Sequence, residues 1–133
     1  SDQTVLIGNE AGWNGQPSGN HNAPEAFGHG GIVFVNGSSE HVLAARNHCH
    51  HNDGGGIVIR GGDGFRAAHW LIQHNRLEAN RWGIYVQHAE DVQLGPNDFF
   101  DNAESDVLNG GEVSGLRAHE APVDIDAWLK TWR

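Results

Sequence analysis

The side chains best suited to chemistry in this chain lie around three short segments that begin with Gly-Ile, at Gly31, Gly56 and Gly83. We predict four catalytic residues there: Tyr85, His29, Arg60 and Arg81. An arginine can neutralise the carboxylate of a uronic acid and stabilise the enolate-like charge that follows proton loss. A tyrosine or a histidine can exchange the ring proton as acid or base. These residue types therefore suit proton abstraction next to a carboxylate on a sugar ring.

Further residues near the same segments could hold such a sugar. The candidates for substrate binding are Trp82, Trp13, Gln87, His88 and Asp53. Trp82 and Trp13 offer flat apolar surfaces that can pack against one face of a sugar. The structural alternative is an ordinary solvated strand face that carries a Tyr–Arg pair and some loop histidines. Both interpretations stay open at this point.

A second group of chemically versatile side chains surrounds Cys49. His48 and His50 would lie on one side of a short strand, with Glu78 beside His50, which gives three ligands suited to zinc or copper. Arg76 lies in the middle of this group and would repel a cation. Cross-strand His–Glu pairing is the structural alternative. We therefore assign no cofactor, and a divalent cation bound by His48, His50 and Glu78 stays an open alternative.

A repeat must position both groups. Each of three asparagines is followed five residues later by another: Asn47 and Asn52, Asn75 and Asn80, Asn97 and Asn102. The side chains five and three residues before each first asparagine are mostly apolar, and such alternation is the period-two signature of a strand. Runs this short cannot bury a face alone, whereas stacked copies share one core. The asparagines should stack as a hydrogen-bonded ladder, with Cys49 as a small core residue.

The repeat also assigns side chains to outward columns. On the Gly-Ile strands these are Val33 and Val35, Val58 and Arg60, and Tyr85 and Gln87. On the strands after the first asparagines they are His48, Arg76 and Asp98 in one column and His50, Glu78 and Phe100 in the next.

Both ends of the chain depart from the repeat. Near the start, Val5 and Ile7 are matched to Val42 and Ala44, with Asn9 near a corner. At the other end an apolar stripe with helical spacing runs through Ile125, Trp128, Leu129 and Trp132. Asp124 is the predicted N-cap of this helix. We predict an all-β fold, a short parallel β-helix of about 4–5 coils over residues 1–121 with an inserted loop at about 10–30. Residues 122–133 would form a helix that caps one end.

The cycle N-x-I-x-x-N-x-x-G-I-x-V, over about residues 28–108, resembles the repeat of the pectate-lyase-like superfamily. That superfamily includes polysaccharide lyases, mannuronan C5-epimerases and polygalacturonases, and the resemblance implies a right-handed parallel β-helix that acts on polysaccharide. Asp53, Arg81, Trp82 and Tyr85 are similar in position to residues that alginate epimerases and related lyases place on and before these strands.

Composition limits the partners. The formal charge is −9, with 17 acidic and 8 basic residues, which disfavours nucleic acid and anionic membrane surfaces. Cys49 is the single cysteine, so no disulfide framework is expected. We expect a polysaccharide partner, an extracellular or periplasmic location, and either homo-oligomers or a continued solenoid at the N-terminal end.

Two hypotheses about function follow. The first is an enzyme that acts on an acidic polysaccharide by β-elimination or C5-epimerisation. The alternative is a non-catalytic carbohydrate-binding or structural β-helix module, including a fragment of a larger solenoid.

Overall fold

The computed structural model describes residues 2–12, 30–35, 40–52, 54–61 and 67–130. In chain order the strands are β1 (Asp2–Ile7), β2 (Glu10–Gly12), β3 (Ile32–Val35), β4 (Glu40–Ala45), β5 (His48–His50), β6 (Gly55–Arg60), β7 (Ala67–Gln73), β8 (Arg76–Glu78), β9 (Trp82–Gln87), β10 (Ala89–Leu94), β11 (Asp98–Phe100), β12 (Ser105–Asn109) and β13 (Val113–Ala118), followed by the helix α1 (Ile125–Leu129).

The strands stack into three parallel sheets. Sheet A contains β1, β4, β7, β10 and β13, sheet B contains β2, β5, β8 and β11, and sheet C contains β3, β6, β9 and β12. Every pairing is parallel and joins strands three apart in chain order. The result is a β-solenoid of about three turns, β4–β6, β7–β9 and β10–β12, with strands of a further coil before them and one strand after them. The predicted parallel β-helix is confirmed.

The core fills the space between the three sheets. Cys49 stacks between Ala11 and Leu77, and Phe99 follows Leu77, so the cysteine is a core residue as predicted. The thiol of Cys49 is fully buried, and this burial raises its pKa to about 12. The cysteine is therefore a packing residue with little thiolate character.

Two asparagine ladders run along the corners on either side of sheet B. In the first ladder Asn47 Nδ2 donates to Asn75 Oδ1 at 3.0 Å, and Asn75 Nδ2 donates to Asn97 Oδ1 at 3.0 Å. The backbone N–H of Asn75 donates to Asn97 Oδ1 as well, and its Nδ2 also donates to the carbonyl of Ala44 in the preceding coil. Asn52, Asn80 and Asn102 repeat the pattern in the second ladder. The inner amides of Asn47, Asn75 and Asn80 thus join their own coils to both neighbours.

The glycines of the first two Gly-Ile pairs, Gly31 and Gly56, leave room for the second ladder. A Cβ on Gly56 would lie 2.9 Å from Asn80 Nδ2 and 2.9 Å from the carbonyl oxygen of Gly83. A Cβ on Gly31 would lie 3.0 Å from Asn52 Nδ2. The recurring glycine is therefore a steric requirement of the corner.

The predicted match of Val5 and Ile7 to Val42 and Ala44 is wrong by one residue. The observed partners of Val42 and Ala44 are Thr4 and Leu6, which lie five and three residues before Asn9, as the repeat requires. Asn9 does belong to the ladder, because its Nδ2 donates to Asn47 Oδ1 at 3.0 Å. A slip of one residue moves side chains to the opposite face of a strand, so Val5 and Ile7 point outward and are exposed.

The inserted loop starts later than predicted, whereas the C-terminal helix starts where predicted. Residues 10–12, which we assigned to the inserted loop, form strand β2, while residues 13–29 lie outside the described residues. The helix α1 begins after its predicted N-cap Asp124, whose side chain accepts from the backbone N–H groups of Asp126 and Ala127. Trp132 lies outside the described residues.

The predicted role of the helix as an end cap is wrong. Trp128 is buried against Leu43, Ala45 and Leu71, which are outward residues of β4 and β7, so α1 lies on the outer face of sheet A. Gln73 fixes the segment before the helix, because its side chain accepts from Val123 N at 2.9 Å and donates to Val123 O at 3.1 Å. Ile125, Trp128 and Leu129 form an apolar stripe as predicted, but this stripe packs against the side of the solenoid and not against its end. No helix in the described ranges has the length and apolar character that a membrane span requires.

Replacing Asn75 with alanine should lower the free energy of unfolding by about 3 kcal/mol, because it leaves several buried donors and acceptors in three coils without partners. Urea unfolding followed by circular dichroism measures this loss. Asn109→Ala, at an exposed position whose side chain accepts from Gly111 N, serves as the control and should cost about 1 kcal/mol or less. Equal losses in the two variants would contradict the structural role of the ladder.

Trp128→Ala should also destabilise the fold, by about 3 kcal/mol, because it uncovers Leu43 and Leu71 on sheet A. Thermal unfolding provides the measurement. Lys130→Ala, which changes an exposed residue at the end of the same helix, should leave stability nearly unchanged. An unchanged melting temperature in Trp128→Ala would show that α1 contributes nothing to the solenoid.

Candidate functional site

The outer face of sheet C carries two of the predicted catalytic side chains, those of Tyr85 and Arg60. Val58 is paired with Tyr85, and Arg60 with Gln87, so the outward columns of this face are as predicted. Leu108 continues the first column on β12.

Tyr85, Gln87 and Arg60 form one hydrogen-bonded group. The Tyr85 hydroxyl donates to Gln87 Oε1 at 3.1 Å, and Arg60 Nε donates to the same oxygen at 2.9 Å. Gln87 Nε2 in turn donates to the carbonyl of Gly110 at 3.3 Å. The structure therefore places two of the four predicted catalytic residues, Tyr85 and Arg60, within hydrogen-bond distance of one acceptor atom. That atom belongs to Gln87, a predicted substrate-binding residue.

Trp82 lies beside the Tyr85 ring, and Arg81 lies beside Trp82. The rings of Trp82 and Tyr85 are 5.1 Å apart, and the Arg81 guanidinium lies 5.4 Å from the centroid of Trp82. Arg81 Nε also pairs with Glu104 Oε2 at 3.4 Å. His88, at the end of β9, has Nδ1 2.5 Å from Glu112 Oε2. The predictions for His29, Trp13 and Asp53 lie outside the described residues.

Burial limits what this group can do. Tyr85 is 2% exposed and Trp82 is 5% exposed, and both pack with Val58 in a small apolar cluster on the outside of the sheet. The backbone of Gly110 covers the Tyr85 hydroxyl so closely that a Cβ there would lie 2.5 Å from the hydroxyl oxygen. As arranged, the Tyr–Gln–Arg group ties three neighbouring coils together.

The outer face of sheet B is more open and more polar. One column runs through Glu10, His48, Arg76 and Asp98, and the next through Gly12, His50, Glu78 and Phe100. The sequence analysis missed Glu10, although its position directly after Asn9 matches that of His48 after Asn47.

Glu78 pairs away from His50. Its Oε1 lies 2.6 Å from His48 Nε2, and both of its oxygens lie 3.3 Å from Arg76 nitrogens. The hydrogen bond from His48 and the charge of Arg76 hold the pKa of the Glu78 carboxyl below its ordinary value. The carboxylate beside His50 is instead Glu10, with Glu10 Oε1 3.1 Å from His50 Nε2.

A cleft of about 550 Å³ opens at the C-terminal end of this face. It is lined by Arg76, Asn97, Asp98, Phe99, Phe100 and Asp106. The Phe100 side chain stands out of the sheet, and the residue is 59% exposed. The repeat placed Phe100 in an outward column but did not predict the cleft. A large aromatic side chain at an outward position is the feature of the sequence that could have indicated it.

Comparison with protein-family models, with curated proteins and with solved structures found no significant match to this chain. The structure supports the parallel β-helix itself, and no matched family supports the pectate-lyase-like assignment.

Proposed function

We propose that the protein is a non-catalytic carbohydrate-binding β-helix, with its sugar site in the cleft on sheet B. The observation that carries this proposal is the 59% exposed Phe100 beside Arg76 and Asp98 in a cleft of about 550 Å³. The architecture and the resemblance of the repeat make a polysaccharide the ligand class to test first.

The residue types in the cleft suit a sugar. An aromatic ring offers an apolar platform for the C–H face of a pyranose ring. Around Phe100, the carboxylates of Asp98 and Asp106 can accept hydrogen bonds from hydroxyl groups, and the Arg76 guanidinium can donate to ring and hydroxyl oxygens. A few polar groups around an apolar surface are what fix the orientation of a small ligand.

Charge favours a neutral sugar over a uronate at this site. Arg76 already pairs with Glu78, whereas Asp98 and Asp106 both line the cleft. A uronate carboxylate would therefore meet two carboxylates and one compensated cation. Neutral hexose polymers avoid this repulsion.

A glycan array followed by calorimetry tests the proposal. The wild-type protein should bind neutral glycans without turnover, and Phe100→Ala should weaken binding at least about tenfold, since burial of one aromatic face contributes more than about 1.4 kcal/mol. Val5→Ala changes an exposed apolar side chain on sheet A and should leave affinity unchanged.

Two outcomes would contradict this site. One is wild-type protein that binds no glycan on the array. The other is a Phe100→Ala variant with unchanged affinity for a bound glycan.

A second candidate function is a polysaccharide lyase or uronate epimerase on sheet C. One observation favours it: Tyr85 and Arg60, a proton donor and a carboxylate-binding group, both reach Gln87 Oε1. In this mechanism the substrate carboxylate would bind Arg60 and the Tyr85 oxygen would exchange the ring proton. Gly110 and Gln87 would have to move away from the hydroxyl first.

The enzyme hypothesis predicts that Tyr85→Phe lowers the rate about a thousandfold, because the proton-transfer group is lost while the ring stays. Ultraviolet absorbance of the unsaturated product and proton–deuterium exchange across a panel of uronates measure elimination and epimerisation. Val33→Ala, in the same outward column, is the matched control and should keep the rate. Flat signals from the wild-type protein in both assays would exclude this function.

A further inference from the structure

We infer that Glu10, His48 and His50 form a binding site for a divalent transition-metal ion of the zinc type, on the outer face of sheet B. One side-chain ligand atom from each of these residues lies within 4.8 Å of the other two. Neither hypothesis about carbohydrate function uses Glu10 and His50, and the sugar cleft lies at the opposite end of the same sheet.

The strand register brings the three residues together. Glu10 on β2 is the direct partner of His48 on β5, and His50 follows two residues later on the same face. Backbone pairing therefore fixes the separation of all three Cα atoms before any ion binds. Ligands held on rigid strands lose little freedom on binding, which favours a defined site.

Gly12 makes room for the His50 ring. It is the strand partner of His50, and a Cβ on Gly12 would lie 2.6 Å from His50 Nε2. The imidazole lies over this glycine with a side chain that is only 12% exposed, and its Nε2 is 3.1 Å from Glu10 Oε1. A larger residue at position 12 would displace the ring from Glu10.

Neighbouring groups orient both histidines. Glu78 Oε1 lies 2.6 Å from His48 Nε2, so Nδ1 is the ring nitrogen of His48 that a metal ion would bind while Nε2 stays on the carboxylate. His50 Nδ1 lies 2.9 Å from His51 Nδ1, which leaves His50 Nε2 to face Glu10. Metal-binding histidines generally donate their other ring N–H to such a partner.

The chemistry of the three ligands selects the ion. Two imidazole nitrogens and one carboxylate suit Zn²⁺, Cu²⁺ and related ions, whereas Mg²⁺ and Ca²⁺ take oxygen ligands. The ion would replace the hydrogen bond between His50 Nε2 and Glu10 Oε1, and the displaced proton would leave to solvent. Arg76, the strand partner of His48, pairs with Glu78, which offsets its repulsion.

The test is calorimetric titration of tag-free protein with Zn²⁺ alone, accompanied by NMR spectra of the histidine ring protons. We expect one ion per chain, with shifts in the His48 and His50 signals and no binding of Mg²⁺. Glu10→Gln and His50→Ala should each weaken Zn²⁺ binding by at least about tenfold, and His119→Gln, an exposed histidine that follows β13, should leave it unchanged. Glu10→Gln changes an exposed side chain and should fold like the wild type, which thermal unfolding without metal checks.

Gly12→Ala and Glu78→Ala test the supporting structure. Each leaves all three ligands in place but should weaken Zn²⁺ binding about tenfold, by displacing His50 or by removing the acceptor that orients His48. Absence of Zn²⁺ binding in the wild-type protein would overturn the inference. Binding that survives Glu10→Gln at full affinity would overturn it equally, because the ion would then be held by other histidines.

Discussion

The corner asparagines supply the interaction on which the rest of the molecule depends. The buried amides of Asn47, Asn75 and Asn80 each donate to the coil before and to the coil after, and each accepts a backbone N–H as well. Several residues that precede ladder asparagines have left-handed backbone, among them Arg46, His51, His74 and Ala79. Such conformations cost energy in residues other than glycine, and the ladder bonds offset that cost. The sharp corners keep all three sheets in one register, and that register places every outward side chain.

Much of the fold was predictable because asparagine spacing is independent of hydrophobicity. The asparagine spacing placed Arg76 opposite His48, and the Gly-Ile pairs placed Tyr85 opposite Val58, as observed. The predicted pairing of β1 was wrong because it matched the apolar residues Val5 and Ile7 to Val42 and Ala44 and did not follow the spacing from Asn9. Strands β1, β4 and β7 of sheet A carry apolar side chains on their outer face as well, where α1 covers Leu43 and Leu71. Alternation of apolar residues there cannot tell inside from outside.

The two outer faces were less predictable than the core, because burial there depends on groups from other coils. The chemical types on β9 suggested a reactive tyrosine, but the backbone of Gly110 in the next coil covers its hydroxyl. Conversely, Glu10 contacts His50 only because β2 pairs with β5 in the folded chain. Residue type and column could be derived from the chain, whereas access and pairing required the three-dimensional arrangement.

The position of α1 has a consequence for cooperativity. In a solenoid each coil contacts only its neighbours, so the coils can fray one after another from either end. The helix, however, comes from the C-terminal end of the described chain and packs on β4 and β7, passing over the later coils. The packing of Trp128 on Leu43 and Leu71, and the hydrogen bonds between Val123 and Gln73, join sequence-distant coils directly. Fraying of β13 is thereby coupled to loss of packing on the central coils, which favours a single all-or-none transition.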